Sequence, residues 1–145
     1  MIVETRALER SFGDVTAVDG VDLVIEAGAV FGLLGPDGAG KSTLIRMLAT
    51  VLRPTAGSAK VFGHDVVDGA DAITPRIGYM SQRFSMYPDL TIAENMDFFA
   101  TVRGVPRQVR RGRASELMES MGIAQFLDRA AGKLSGGMKQ KLMLA

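Results

Sequence analysis

One stretch limits the possible folds of this chain more than any other: Gly35-Pro36-Asp37-Gly38-Ala39-Gly40-Lys41-Ser42-Thr43. It fits the pattern of a glycine, four residues and then Gly-Lys-Ser/Thr. Glycines permit positive φ and a close approach of a ligand to the backbone, so successive N–H groups can point toward one anion. The pattern predicts a phosphate-binding loop in which Lys41 reaches the β and γ phosphates and Ser42 ligates Mg²⁺.

The residues on either side of this loop have the pattern of a strand followed by a helix. Residues 29–34 are apolar on both alternating faces, which predicts a strand covered on both sides, as in a parallel sheet. After the loop, apolar residues recur at helical spacing over residues 44–52 and stop at Arg53-Pro54. A helix starting at the loop adds the partial positive charge of its N terminus. The alternative is a Gly-rich turn that binds nothing, and the strand-loop-helix order disfavours it.

Composition is that of an ordinary globular protein. The chain has 145 residues, of which 47% are hydrophobic and 23% charged, with a formal net charge of +1. This excludes a disordered tail and names no nucleic-acid partner. The absence of cysteine excludes a disulfide framework, a thiolate metal site and a cysteine nucleophile. No apolar run approaches the roughly 20 residues that cross a bilayer, and no secretory signal is found, so we expect a soluble, unexported chain.

The remaining elements are predicted from periodicity and turn signals. Strands are predicted at residues 2–9, 21–26, 58–62 and 77–82. The capping box Thr91-Ile92-Ala93-Glu94 predicts a helix start. One face of a second helix, which ends at Gly122, is lined by Ala114, Leu117, Met118 and Met121. Strands first and helices later predict an α/β core with a helical subdomain added to it.

A second glycine-bearing segment lies near the end of the chain, Leu134-Ser135-Gly136-Gly137-Met138-Lys139-Gln140. Ser135 is a favoured helix N-cap. Two glycines at a helix start cost about 1 kcal/mol each relative to alanine if they are helical, which favours a place where a ligand approaches the backbone. The alternative is a plain helix cap followed by flexible glycines.

Four landmarks in one order resemble the nucleotide-binding domain of ABC transporters. Besides the phosphate loop, the segment from Leu134 to Gln140 is similar to the ABC signature sequence. Tyr79-Met80-Ser81-Gln82-Arg83, followed by residues 87–95, resembles the Q-loop and the segment after it. Phe12 lies where the family has an aromatic residue that stacks on adenine, although a core-facing strand aromatic is the alternative. The resemblance covers residues 3–145 and is closest to ATPase subunits of bacterial ABC-2-type multidrug exporters.

The resemblance implies an α/β fold: a P-loop NTPase core with an N-terminal antiparallel β subdomain and a helical subdomain carrying the signature. We expect the core and β subdomain at about residues 1–82 and the helical subdomain at about residues 83–145. In the family a Walker B strand and a switch histidine follow the signature. Neither is found here, so we expect a domain truncated after the signature, incomplete at the C-terminus, and a chain that alone is poorly soluble, binds nucleotide weakly or not at all, and is inactive. Residues 23–26 are rejected as a substitute because they precede the phosphate loop and form an ordinary strand end. The single histidine, His64, is rejected because the switch histidine of the family lies beyond Walker B.

For the site, the resemblance implies ATP and Mg²⁺ as cofactors. The expected ATP contacts are Phe12, Gly35, Pro36, Asp37, Gly38, Ala39, Gly40, Lys41, Ser42, Thr43, Ser135, Gly136 and Gly137. Lys41 and Gln82 are the catalytic candidates, and Ser42 and Gln82 are the expected metal ligands; a surface turn residue is the alternative for Gln82. Asp37 stands where the family commonly has Asn, and we expect its carboxylate to cap the turn rather than face the phosphates.

The implied function is the ATP-binding and ATP-hydrolysing subunit of an ABC transporter that drives export. The expected partners are a second ABC ATPase domain, packed head to tail, and integral membrane permease subunits, which place the protein in the cytoplasm at the cell membrane. No nucleic acid is expected as a partner. The alternatives are a soluble ABC ATPase that moves no solute and a non-hydrolysing nucleotide-binding fragment.

One charge cluster is not explained by these motifs. It consists of Arg103, Arg107, Arg110, Arg111 and Arg113. We interpret it as a solvated helix face, with lipid headgroups, a membrane partner and nucleic acid as alternatives.

Overall fold

The computed structural model describes residues 1–145, which form two compact units, Met1–Tyr79 and Met80–Ala145. The first unit contains all of the β-structure in named strands, and the second unit is built from helices. Each unit has a hydrophobic cluster of its own. None of the helices is long and apolar enough to cross a lipid bilayer.

The sheet of the first unit has four antiparallel strands in the order β2-β1-β3-β4. Their bounds are β1 Val3–Phe12, β2 Val15–Ile25, β3 Ala56–Val61 and β4 His64–Asp65. The strands predicted near residues 2–9, 21–26 and 58–62 are confirmed. Strands β1 and β2 are longer than predicted because they continue to the Gly13-Asp14 turn and form one hairpin, in which Phe12 pairs with Val15.

Two predicted strands are wrong. Residues 29–34 and residues 77–82 belong to no strand of the sheet. Val30 and Leu34 are 104% and 93% exposed, and only Leu33 of this run packs against the core. A strand exists through hydrogen bonds to a neighbouring strand, so an apolar run is not sufficient to form one. The buried parallel strand predicted before the phosphate loop is therefore not formed.

The core of the first unit lies between the sheet and helix α1, Lys41–Leu48. Eight buried apolar residues form this core: Leu8, Val18, Leu44, Met47, Ala59, Val61, Val66 and Ile73. A fully buried side chain of this size contributes about 1.5–3 kcal/mol. Helix α1 ends at Leu48, before the predicted end at residue 52. The reason is that Thr50 adopts φ 62 and that the amides of Val51 and Leu52 donate to the carbonyl of Arg46. Helix α2, Ala70–Ile73, and the 3₁₀ turn Thr74–Arg76 complete this unit.

The second unit contains α3 Ile92–Val102, α4 Arg107–Ser120 and α5 Gly136–Leu144. Short 3₁₀ turns lie at Ala124–Phe126 and Ala131–Lys133. The buried cluster consists of Ile92, Met118, Ile123, Ala131, Leu134 and Leu142. The predicted apolar face of α4 is confirmed at Met118, with Leu117 and Met121 packed against the same cluster. The predicted stop at Gly122 is also confirmed, since this glycine has φ 67 and donates to the carbonyl of Glu119.

Candidate functional site

The phosphate-loop segment depends on two glycines in the left-handed region, Gly38 at φ 85 and Gly40 at φ 81. Gly40 also lies directly against strand β2. A Cβ on Gly40 would lie 2.0 Å from the carbonyl oxygen of Ala17 and 3.3 Å from Cγ2 of Val18. No side chain fits such a gap, so the fold of the first unit itself requires glycine at this position.

Lys41 is turned into this loop. Its Nζ donates to the carbonyl oxygens of Gly35 at 2.7 Å and Pro36 at 2.6 Å. An ammonium group has three N–H donors and no acceptor, so one donor is left for a further oxygen. The structure thus brings the charge of Lys41 to the segment that the sequence predicts as a phosphate site.

Helix α1 begins at Lys41 without a side-chain cap. Its N-cap residue is Gly40, and the first turn contains no acidic residue. The first amides of an α-helix have no intrahelical partner, so they are free to bind an anion. Ser42 is exposed and its hydroxyl has no protein partner. These groups fit a phosphate, and a hydroxyl oxygen fits a hard cation such as Mg²⁺.

Asp37 is exposed within the loop, and its carboxylate forms no hydrogen bond. The capping bond expected from the sequence is therefore not present. The amide of Ala39 donates instead to the carbonyl of Pro36 at 3.3 Å, so a backbone bond closes this turn.

Phe12 is the last residue of β1 and lies beside the Gly13-Asp14 turn of the hairpin. Its side chain is 47% exposed, so the ring is not part of the core. The guanidinium carbon of Arg10 lies 4.5 Å from the centre of the ring. Phe12, the loop and α1 all belong to the first unit, and the loop packs on β2, the strand that follows Phe12.

Gln82 belongs to the second unit and lies in an irregular segment. Its side chain is exposed and has no protein partner. Two residues later, the ring of Phe84 packs under Lys139, whose Nζ lies 5.3 Å from the ring centre. The segment after Gln82 is thereby attached to the first turns of α5.

The signature segment starts α5 with Ser135 as its N-cap. The Ser135 hydroxyl accepts a hydrogen bond from the amide of Met138 at 3.3 Å. Gly136 and Gly137 are exposed and have no positive φ, and a Cβ at either position would meet no atom within 4 Å. Nothing in the chain itself therefore requires glycine at these two positions.

Sequence reasoning missed Asn95, which is completely buried. Its Nδ2 donates to the carbonyls of Tyr87, Leu90 and Thr91, and its Oδ1 accepts from the amide of Tyr87 at 2.8 Å. Buried polar groups are nearly always paired, and here every hydrogen-bonding group of the amide has a partner. The signal in the sequence was an Asn three residues after Ile92, on the apolar side of α3.

The backbone ahead of the signature pairs with the same segment. The amide of Ala131 donates to the carbonyl of Leu90, and the amide of Gly132 donates to the carbonyl of Pro88, both at 2.8 Å. Asn95 thus attaches residues 87–91 to α3, and the two backbone bonds attach the same residues to the segment that leads to Ser135.

The start of α3 is a complete capping box, as predicted. The amide of Thr91 donates to Glu94 at 2.8 Å, and the amide of Glu94 donates to the Thr91 hydroxyl at 3.1 Å. Hydrogen bonds from the amide and then the hydroxyl of Thr91 lower the pKa of the Glu94 carboxyl below its ordinary value.

The arginine cluster is not uniform. Arg110 has an 18% exposed side chain and donates to the carbonyl of Val105, the carboxylate of Asp97 and the hydroxyl of Thr101. The interpretation as a solvated face is therefore wrong for Arg110, which joins α3 to α4. The other four are exposed, and Arg113 pairs with Glu116 on the same helix at 3.3 Å. All five line an open groove of about 1320 Å³ together with apolar residues of α3.

No three His, Asp or Glu side chains of residues 1–145 lie close enough to hold a metal ion as a group. His64 is exposed in β4, as expected for a residue outside the site. Glu26, at the end of the rejected segment 23–26, pairs with the N-terminal amine of Met1 at 2.9 Å.

Comparison with known proteins gives one consistent result. Residues 18–145 match the family model described as ABC transporter. The chain is 47% identical over 146 residues to the probable multidrug ABC transporter ATP-binding protein YbhF of Escherichia coli (strain K12), covering 99% of the chain and 25% of that protein. It is 44% identical over 143 residues to the daunorubicin/doxorubicin resistance ATP-binding protein DrrA of Streptomyces peucetius, covering 99% of the chain and 43% of that protein.

A solved structure agrees with these relatives. It is the dimeric, post-hydrolysis structure of the ATP-binding cassette MJ0796 bound to ADP and Pi. It matches 99% of this chain and 67% of its own, with a TM-score of 0.85 and 26% identity. The chain spans between a quarter and less than half of the length of the two curated relatives.

Proposed function

The chain belongs to the ABC transporter family, and on that premise we propose that it binds ATP as part of a transporter's ATP-binding subunit. The observation that carries the proposal is the loop of the first unit. Its two left-handed glycines, the inward Lys41 ammonium and the uncapped start of α1 all supply donors or positive charge at one place. Polyphosphate is the ligand that satisfies such a set of groups.

Lys41 acts by exchanging partners. In the structure its Nζ donates to two neutral carbonyl oxygens, those of Gly35 and Pro36. An anionic phosphate oxygen adds Coulomb attraction to the hydrogen bond from an ammonium, which a neutral carbonyl oxygen does not supply to the same extent. A phosphate therefore competes well for Nζ, and Lys41 holds the β and γ phosphates while the loop amides hold the remaining oxygens.

We propose Ser42, through its hydroxyl, and Gln82, through its amide oxygen, as the residues that would hold Mg²⁺ with the bound nucleotide. Both side chains are exposed and have no protein partner, so each is free to coordinate. When bound, the cation supplies neutralisation of charge on the β and γ oxygens. Gln82 is also proposed to orient the attacking water, because its neutral amide can both donate and accept. Phe12 is proposed to stack on the adenine.

The signature segment is proposed to complete the site of a second copy packed head to tail. Support comes from Gly136 and Gly137, which are exposed and which nothing inside the chain requires to be glycine. A partner that must approach the backbone of α5 explains them, and the solved cassette of the same fold is a dimer.

Coupling to transport is the broadest part of the proposal. The relatives named for multidrug transport and for daunorubicin/doxorubicin resistance favour an exporter over an importer. We propose that ATP binding and hydrolysis in this subunit drive export through separate membrane-spanning subunits, with the ATPase on the cytoplasmic face of the membrane.

The test of the proposal compares Lys41→Met with Lys60→Met. Both changes remove one positive charge from the first unit, but Lys60 is exposed on β3 and forms no hydrogen bond with the loop. Calorimetric titration with ATP and with inorganic tripolyphosphate should show at least about tenfold weaker binding of both ligands for Lys41→Met, which corresponds to one charge-assisted hydrogen bond.

Lys60→Met should bind both ligands as the wild type does. Unchanged binding of tripolyphosphate by Lys41→Met would overturn the proposal, because no phosphate would then depend on the loop.

A further inference from the structure

Arg10 and Phe12 form a stacked pair at the end of strand β1. The two side chains are two residues apart, which places them on the same face of the strand. The guanidinium carbon of Arg10 lies 4.5 Å from the centre of the Phe12 ring. One face of the ring is therefore covered by the protein, while the side chain as a whole is 47% exposed.

Arg10 is held in place by the segment that follows α1. One terminal nitrogen, Nη1, donates to the carbonyl of Arg53 at 3.0 Å. The same stretch holds the strand end, since the amide of Ser11 donates to the Thr55 hydroxyl at 3.0 Å. The Arg10 guanidinium and the backbone next to Phe12 are thus both held by the segment from Arg53 to Thr55.

The Nε of Arg10 is buried and has no hydrogen-bond partner, and Arg10 takes part in no salt bridge. An unpaired buried donor on a charged group lowers stability. Arg10 is thus held against Phe12 with one buried donor left unpaired. A role that depends on the ring accounts for this arrangement.

We infer that Arg10 is a positioning residue for the nucleobase: it covers one face of Phe12 and fixes the ring so that the other face receives the adenine. This inference rests on the proposed ATP binding. A ring at a hairpin end is free to rotate, and a base that stacks on it must restrict that motion. Because the cation–π contact has already restricted the ring, less entropy is lost on binding.

The test uses Arg10→Met, Phe12→Ala and the double variant, each titrated with ATP and with inorganic tripolyphosphate. The control is Arg6→Met, which removes an arginine of the same strand that is 78% exposed and pairs only with Glu4. Arg10→Met should weaken ATP binding roughly two- to fivefold, the change expected for one exposed cation–π contact, and should leave tripolyphosphate binding unchanged. Arg6→Met should change neither.

The double variant separates positioning from a general structural effect. If Arg10 acts through the ring, adding Arg10→Met to Phe12→Ala should cause no further loss of ATP affinity. Equal weakening of ATP and tripolyphosphate, a full additive loss in the double variant, or no loss at all would overturn the inference.

Two further measurements keep the outcomes distinct. If Arg10→Met does not fold, as judged by its thermal transition, Arg10→Lys takes its place, because it keeps the charge without the planar head and should lose part of the ATP affinity. If Lys41→Met binds both ligands normally, the proposed ATP site has failed; if only the Phe12 and Arg10 variants are without effect, the base platform alone has failed.

Discussion

The two glycine-bearing segments of this chain differ in what requires their glycines. In the phosphate loop, Gly40 has φ 81 and leaves no room for a Cβ beside the carbonyl of Ala17. In the signature segment, Gly136 and Gly137 lack positive φ and face open space. The first glycine is required by the fold of its own unit, whereas the second pair is required only if something outside the chain approaches. Glycine is therefore needed for the packing of the chain itself in the first unit, and in the second unit it would be needed only for contact with another molecule.

The helix starts differ in the same way. Helix α1 begins without any side-chain cap, while Ser135 caps α5 and a full capping box starts α3. A cap satisfies amides that would otherwise be free to bind an anion. Helices α2 and α4 also begin without a side-chain cap, but the uncapped start of α1 is the one that carries Lys41.

The largest effect is expected from Gly40→Ala. A residue forced into the left-handed region costs about 1–2 kcal/mol, and the Cβ of Gly40→Ala must in addition displace the backbone of β2. The control is Gly63→Ala, since Gly63 has φ 80 but meets no atom within 4 Å. Urea unfolding should show a loss for Gly63→Ala of about 1–2 kcal/mol and a clearly larger loss for Gly40→Ala. Equal losses would mean that contact with β2 does not constrain the loop.

The double change Gly136→Ala and Gly137→Ala should have the opposite effect on stability. Alanine in a helix is favoured over glycine by about 0.5–1 kcal/mol per position, so the thermal midpoint should rise. If the backbone of α5 must be approached by a second copy, ATP-dependent association measured by sedimentation should be lost at the same time.

Gly112→Ala is the matched control for this pair. Gly112 lies within α4, and a Cβ there meets no atom within 4 Å, so the midpoint should rise without any change in association. A fall in stability for the Gly136 and Gly137 variants would break the comparison between the two segments.

The smallest effect is expected from Glu94→Gln at the capping box. Because the pKa of Glu94 is lowered in the folded state, its charged form adds stability above the unfolded value near 4.5, and this is lost as pH falls through the folded value. Thermal midpoints at pH 7 and below pH 4 should therefore differ less for Glu94→Gln than for the wild type. Glu116→Gln, which changes the charge of the same unit without touching a helix cap, should keep the wild-type difference. A wild-type difference in Glu94→Gln would contradict the role of the cap.

The sequence predicted those features that depend on neighbouring residues. The capping box at Thr91 and the stop at Gly122 were identified because their hydrogen bonds join residues within one turn. The glycine-rich loop of residues 35–43 was identified for the same reason, since its glycines and Lys41 are contiguous, and phosphate binding by this loop stays a prediction. Residues 29–34 were assigned wrongly because a strand depends on partners elsewhere in the sequence, and an apolar pattern does not supply them.

Contacts between residues far apart in the chain could not be predicted from the sequence either. Arg10 reaches Arg53, and Arg110 reaches Asp97 and Thr101, through side-chain geometry that no local pattern encodes. Arg110 was interpreted as part of a solvated helix face, and Arg10 was assigned no role. Their roles depend on where the backbone of another segment passes.

Asn95 has a mechanical consequence for the second unit. Four hydrogen bonds of one buried amide, three donated by Nδ2 and one accepted by Oδ1, fasten the backbone at Tyr87, Leu90 and Thr91 to helix α3. The stretch from Tyr87 to Thr91 is therefore fixed to the first turn of α3, and we expect a displacement of Tyr87 to move the helix with it. Loss of the Asn95 amide would remove these four bonds, while the backbone hydrogen bonds within the helices would not depend on it.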